Sequence, residues 1–230
     1  MREDDTVNMR HFELVLVLCV VCTWLPGVLH AQQSASCNGL AGSGYLEPLE
    51  PLKAGHIVGK ERAYFLWSIG ASPFQPANKP YLVAGDAVAV VKSAPGYVCV
   101  AYPKNKNSNM GTNGWLPANQ VKIDEPREVP AKLKQWVGTW RSGTAEKLII
   151  RLDGNALHVE GHAWWQGRSD PHFGEFSYNA APIGNFVTFG NERDCQVQLL
   201  MLGNFIAAQD NHGCGGTNVT FSGFYVRHHK

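Results

Sequence analysis

From residue 63 onward the chain repeats one pattern: short runs of β-branched, aromatic and aliphatic residues, each ended by glycine, asparagine, aspartate or proline. Before residue 124 the runs are 63–69, 81–83, 87–91, 97–102 and the pair Trp115-Leu116. After residue 131 they are 147–152, 156–165, 173–178, 186–189, 196–202, 205–208 and 218–227. Joints such as Asp153-Gly154-Asn155, Gly203-Asn204 and the stretch 210–216 carry the residues that tight turns require. Short strands at this spacing, without helical periodicity, predict an all-β chain built of barrels or sandwiches. Residues 132–136 can form one helical turn.

Between the two groups, Asp124-Glu125-Pro126-Arg127-Glu128-Val129-Pro130-Ala131 carries two prolines and mixed charge with no apolar period. That composition predicts a linker over 124–131. The expected organisation is two small β-barrel modules, 56–123 and 132–230, with an extended lead over 32–55.

The start of the chain breaks the pattern. Residues 14–29 are apolar apart from Thr23, but the run is sixteen residues long and contains Pro26. A membrane span needs roughly twenty. Arg10 and His11 precede the run and Ala31 offers a small residue for cleavage, so 1–31 is predicted to be a signal peptide. Glu3, Asp4 and Asp5 fit poorly in a positive leader; initiation at Met9 would remove them, and both starts stay open. The mature protein is expected in the periplasm or outside the cell, without a transmembrane span.

Cleavage leaves Cys37, Cys99, Cys195 and Cys214. An even count in an exported chain predicts two disulfides, and locality favours Cys37–Cys99 and Cys195–Cys214 among the three possible pairings. No Cys-x-x-Cys pair survives cleavage, which argues against a zinc site. The mature chain keeps 18 basic and 15 acidic residues, a net charge of +3. Nucleic-acid partners, which need a strongly basic surface, are not expected.

The polar cluster His158-Val159-Glu160-Gly161-His162-Ala163-Trp164 stands out. On a strand, His158, Glu160, His162 and Trp164 share one side, while Leu157, Val159, Ala163 and Trp165 share the other. Alternate histidines and a carboxylate could hold a metal with His172, or do acid–base work. The reading adopted is a solvated strand face with Trp165 packed inward, no metal, and Trp164 as a ligand-binding candidate. Ser222 lies in Phe-Ser-Gly and lacks the nucleophile-elbow pattern. Gly213-Cys214-Gly215-Gly216 lacks the lysine and helix of a phosphate loop, so no cofactor is expected. The polar loop 103–114 reads as a solvated hairpin tip.

Three resemblances add to this. Arg62-Ala63-Tyr64-Phe65, the stretch 79–88, the stretch 97–102 and above all Gly114-Trp115-Leu116-Pro117-Ala118-Asn119-Gln120-Val121 resemble a bacterial Src homology 3 domain over about 60–123. The resemblance implies a small barrel with an aromatic-lined groove for cell-wall or protein ligands. It makes Tyr64, Tyr81, Tyr102, Trp115 and Pro117 ligand-binding candidates; the alternative is that Trp115 and most of the tyrosines fill the core of so small a module. Gln120 stands where the eukaryotic relatives carry a closing tyrosine, a departure from their proline-binding pattern.

In the second module, Gly138-Thr139-Trp140 near its start and Arg227 near its end resemble the calycin (lipocalin-like) barrels. There an arginine lies across the indole and closes the barrel, so Trp140 and Arg227 are expected to meet. The stretch from Asp210 through Cys214-Gly215-Gly216 to Tyr225-Val226-Arg227 also resembles the end of an exported bacterial β-domain of unassigned function. The leading expectation is a non-catalytic cell-envelope protein that binds a cell-wall component or envelope protein. An inhibitor or immunity protein against a cell-wall hydrolase comes second, and a cell-wall-active hydrolase third.

Overall fold

The computed structural model describes residues 35–37, 49, 52–70, 73–103, 111–124 and 132–228. The expected signal peptide, most of the lead, residues 125–131 of the linker and residues 104–110 of the polar loop lie outside the described residues.

The first half of the chain forms β1 (Ala35–Ser36), β2 (Lys53–Ile57), β3 (Ala63–Tyr64), β4 (Ser68–Ile69), β5 (Tyr81–Leu82), β6 (Ala87–Ala94), β7 (Tyr97–Tyr102), β8 (Thr112–Pro117) and β9 (Val121–Ile123). Five of them make one antiparallel sheet in the order β8-β7-β6-β2-β9, and β1–β4 and β3–β5 form small ladders. The sheet begins at Lys53, ahead of residue 56 where the module was expected to start. The run 63–69 is not one strand, as expected, but two short ones. Between them Leu66 bridges to Trp115, which bends the chain across β8.

The second half begins with the helical turn α1 (Leu133–Trp136). Its strands are β10 (Gly138–Ser142), β11 (Glu146–Asp153), β12 (Ala156–Gln166), β13 (Pro171–Ala180), β14 (Phe186–Gly190), β15 (Gln196–Leu202), β16 (Phe205–Asp210) and β17 (Gly223–Arg227). All eight are antiparallel in the order β13-β12-β11-β10-β17-β16-β15-β14, and the sheet curls into a nearly closed barrel. Alternate residues of every strand point inward. The interior is filled by Trp136, Trp140, Leu148, Ile150, Val159, Phe176, Phe189, Ile206 and Tyr225 among others.

The expected strand 218–227 is only half formed. The carboxylate of Asp210 accepts hydrogen bonds from the hydroxyls of Thr220 (2.6 Å) and Ser222 (2.5 Å), and the Ser222 amide donates to Thr220 Oγ1 at 3.0 Å. Such local side-chain bonds compete with a strand ladder. The segment instead enters the barrel end, burying Val219 and Phe221, and Phe221 meets Phe176 edge-on at 4.7 Å. The Cys195–Cys214 disulfide holds this plug at its start, and Cys37–Cys99 fastens the lead to β7.

Central strands of both halves are apolar on both faces, which requires cover on both sides. In β6 and β7, Val88, Val90, Val98 and Val100 fill the first core while Ala89 and Ala101 face the other way. In β16 and β17, Ile206 and Tyr225 point into the barrel, while Phe205, Ala207 and Phe224 point out. These outward groups pack together with Leu49, Leu52 and Leu202 into one further core. The two sheets are therefore fused through a shared apolar layer.

Gly161, inside the His-Glu-His cluster, is there for packing. A methyl group at its Cα would fall inside the ring of Phe176 on the neighbouring strand. Gly161→Ala is expected to cost about 1–3 kcal/mol by overpacking. The denaturation midpoint measures it; an unchanged midpoint would show that Phe176 swings away freely.

Candidate functional site

An open groove on the first sheet is lined by Glu61, Arg62, Tyr64, Leu66, Tyr97, Pro117 and Gln120. Its position follows from pairing. Tyr97 opens β7 directly opposite Pro117 at the end of β8, and Tyr64 on β3 lies opposite Tyr81 on β5. The Tyr64 and Tyr81 rings meet edge-on at 5.7 Å, and the Arg62 guanidinium lies 4.3 Å from the Tyr81 centroid. Both tyrosines keep more than a third of their surface exposed. Next to them on the chain, Trp67 and Phe74 form a second exposed pair at 5.5 Å.

Of the expected groove residues, Tyr64 and Pro117 line it and Tyr81 meets Tyr64 edge-on. Trp115 does not: it is 1% exposed, packed with the Cys37–Cys99 disulfide and Ile69. Leu66 is joined to it by a pair of backbone hydrogen bonds. Tyr102 is also elsewhere, at the far end of β7, where its hydroxyl donates to Asp86 at 3.3 Å. Burial, and then the Asp86 carboxylate, raise the Tyr102 pKa above its ordinary value. Tyr97, Glu61 and Arg62 were not named as site residues from sequence. For Tyr97 the available signal was its place opposite the Gly-Trp-Leu-Pro motif.

The outer face of β11–β13 carries the polar cluster. Cross-strand neighbours pair Trp164 with Phe173, His162 with Glu175, Glu160 with Ser177 and His158 with Asn179. His158 Nδ1 lies 2.5 Å from Asn179 Oδ1, and its Nε2 lies 3.3 Å from Glu160. Arg151 donates to Glu160 at 2.5 Å, Asn179 donates to Asp153, and His162 Nδ1 lies 3.3 Å from Glu175. The hydrogen bond from Arg151 is the main cause that holds the Glu160 pKa below the usual carboxylate range. An ionised Glu160 accepts hydrogen bonds; it is not poised as a general acid.

His172 faces the other way and bonds the Thr217 carbonyl through Nδ1 at 2.6 Å. Among the described residues no group of three or more His, Cys, Asp or Glu side chains is placed to hold a metal. Trp165 is not packed inward as expected. The β12–β13 hairpin overruns the barrel, so Trp165 remains 38% exposed, its ring 5.4 Å from that of His172.

At the opposite end of the barrel, the Arg227 guanidinium lies 4.3 Å from the Trp140 centroid, on paired strands. It donates to the carbonyls of Val137 and, at 2.6 Å, Gln135. Both residues also border a cleft between the two sheets, together with Gly85, Pro103, Asn204 and Phe205.

No family model, no curated protein and no solved structure matches this chain.

Proposed function

We propose that the chain is an exported, non-catalytic protein of the cell envelope that holds a cell-wall or protein ligand in the groove beside Tyr64. The observation that carries this reading is the exposed Tyr64–Tyr81 pair with Arg62 stacked on it. Aromatic and arginine side chains left in water at a concave surface are the groups that anchor partners. The ladder of short strands beneath them and the nearby Cys37–Cys99 disulfide keep the groove rigid, which lowers the entropic cost of binding. Export is supported by the two disulfides. The resemblance to bacterial Src homology 3 domains makes cell-wall material the first ligand to try.

The test is co-sedimentation of the purified, oxidised protein with insoluble peptidoglycan. Wild-type protein is expected to pellet with the polymer, and the double variant Tyr64→Ala/Tyr81→Ala to bind about tenfold more weakly, the loss of one good anchor. Equal binding by both proteins would remove the groove from the reading. Inhibition of a cell-wall hydrolase without any binding to the polymer would transfer the protein to the inhibitor class.

A further inference from the structure

We infer that the outer face of β11–β13 is a second, separate binding surface, and that its ligand is an uncharged polysaccharide strand. The two sides of the barrel differ in what they offer. The outer residues of β16 and β17, Phe205, Ala207 and Phe224, are buried against the first sheet. On β12 and β13 the outward residues stay in contact with solvent, and two of them are large rings: Trp164 is 42% exposed and Phe173 64%. These two are direct cross-strand neighbours, so both rings stand side by side on the same outer face. An exposed aromatic platform on a rigid sheet is a binding feature rather than a packing one.

What continues from the platform identifies the ligand. Along the same face run His162 with Glu175, Glu160 with Ser177, and His158 with Asn179. From residue 158 to residue 164 the strip measures about 20 Å at the usual strand rise. A ligand lying on it meets apolar rings at one end and planar hydrogen-bonding side chains along the rest. Sugar rings present both surfaces, since their C–H faces stack on aromatic rings and their hydroxyls bond carboxylates, amides and imidazoles. The polar groups are already fixed by bonds among Asp153, Asn179, His158, Glu160 and Arg151, so little order must be imposed on binding.

Charge disfavours the other long polymers. The strip and its flank hold Arg141, Lys147 and Arg151 against Asp153, Glu160 and Glu175, a balanced set, and Arg151 is engaged by Glu160. A phosphate polymer or an anionic bilayer would find no surplus of positive charge to hold it. A neutral, hydroxyl-rich strand meets acceptors for its own donors. This surface does not depend on the groove beside Tyr64, which lies on the other sheet.

Titration of the full oxidised protein with chitohexaose and with cellohexaose, followed by tryptophan fluorescence and calorimetry, tests the inference. Saturable binding to at least one hexasaccharide is expected. Trp164→Ala/Phe173→Ala should weaken it by about tenfold or more, as expected when two stacking rings are removed. Both rings are exposed, so an unchanged melting temperature will show that this variant folds. Tyr64→Ala/Tyr81→Ala should leave the cellohexaose affinity as it is, because the ligand proposed for the groove is cell-wall material, and this separates failure here from failure of the groove. Three results would overturn the inference: no saturation by either sugar at millimolar concentration, equal sugar binding by the Trp164/Phe173 variant, or Trp164-dependent binding to phosphatidylglycerol vesicles with no response to either sugar.

Discussion

Replacing Cys37 and Cys99 together by alanine is expected to lower the stability of the protein by about 4 kcal/mol, the larger of the two disulfide effects. The two residues are 62 positions apart, so the bond removes much chain entropy from the unfolded state. The bond also closes a cluster with Trp115 and Ile69 at the back of the first sheet, where alanine would leave space. Cys195 and Cys214 are only 19 apart, and the matching double variant should lose about 3 kcal/mol by the same relation. Urea denaturation of the three oxidised proteins measures both differences. The reverse order, with the shorter loop costing more, would mean that holding the Val219–Phe221 plug outweighs chain entropy.

The second large effect is expected at Arg227. Its guanidinium bonds two carbonyls at the end of α1 and covers the Trp140 ring, whose own Nε1 donates to the Trp136 carbonyl at 2.8 Å. One side chain thus ties the helical turn, the first barrel strand and the last. Arg227→Ala should cost about 1–3 kcal/mol, the size of stranded hydrogen-bond partners together with a lost cation–ring contact. Arg227→Lys keeps the charge but loses the planar fork, so it should recover little. Gly138 belongs to the same device. Its φ is +144°, and a methyl group there would press on Arg227 Nη1. A loss below about 0.5 kcal/mol for Arg227→Ala, the range of an ordinary surface substitution, would show that the barrel end closes without it.

Much of this architecture is legible in the chain because strand physics is local. A period of two and turn residues at the joints predict Gln196–Leu202 to the residue and most other strands to within a few. Cys37, Cys99, Cys195 and Cys214 pair as locality suggests. Parity alone places His158, Glu160, His162 and Trp164 on one exposed face, since successive side chains on a strand point to opposite sides.

Tertiary structure decided the rest, because the deciding contacts join residues far apart in sequence. Trp115 carries the strongest motif in the first half and suits either groove or core; the cluster it joins with the Cys37–Cys99 disulfide and Ile69 places it in the core. Tyr102 and Tyr97 sit on one strand, and which of them reaches the groove depends on the partner at each end, Asp86 or Pro117. The runs in β6, β7 and β16 announce burial on both faces but not what covers them. That cover is the other sheet, and it leaves β11–β13 as the barrel side whose aromatic and polar residues face solvent. Period and composition specify which residues must be hidden or paired; the long-range docking of two sheets selects which remain free to bind.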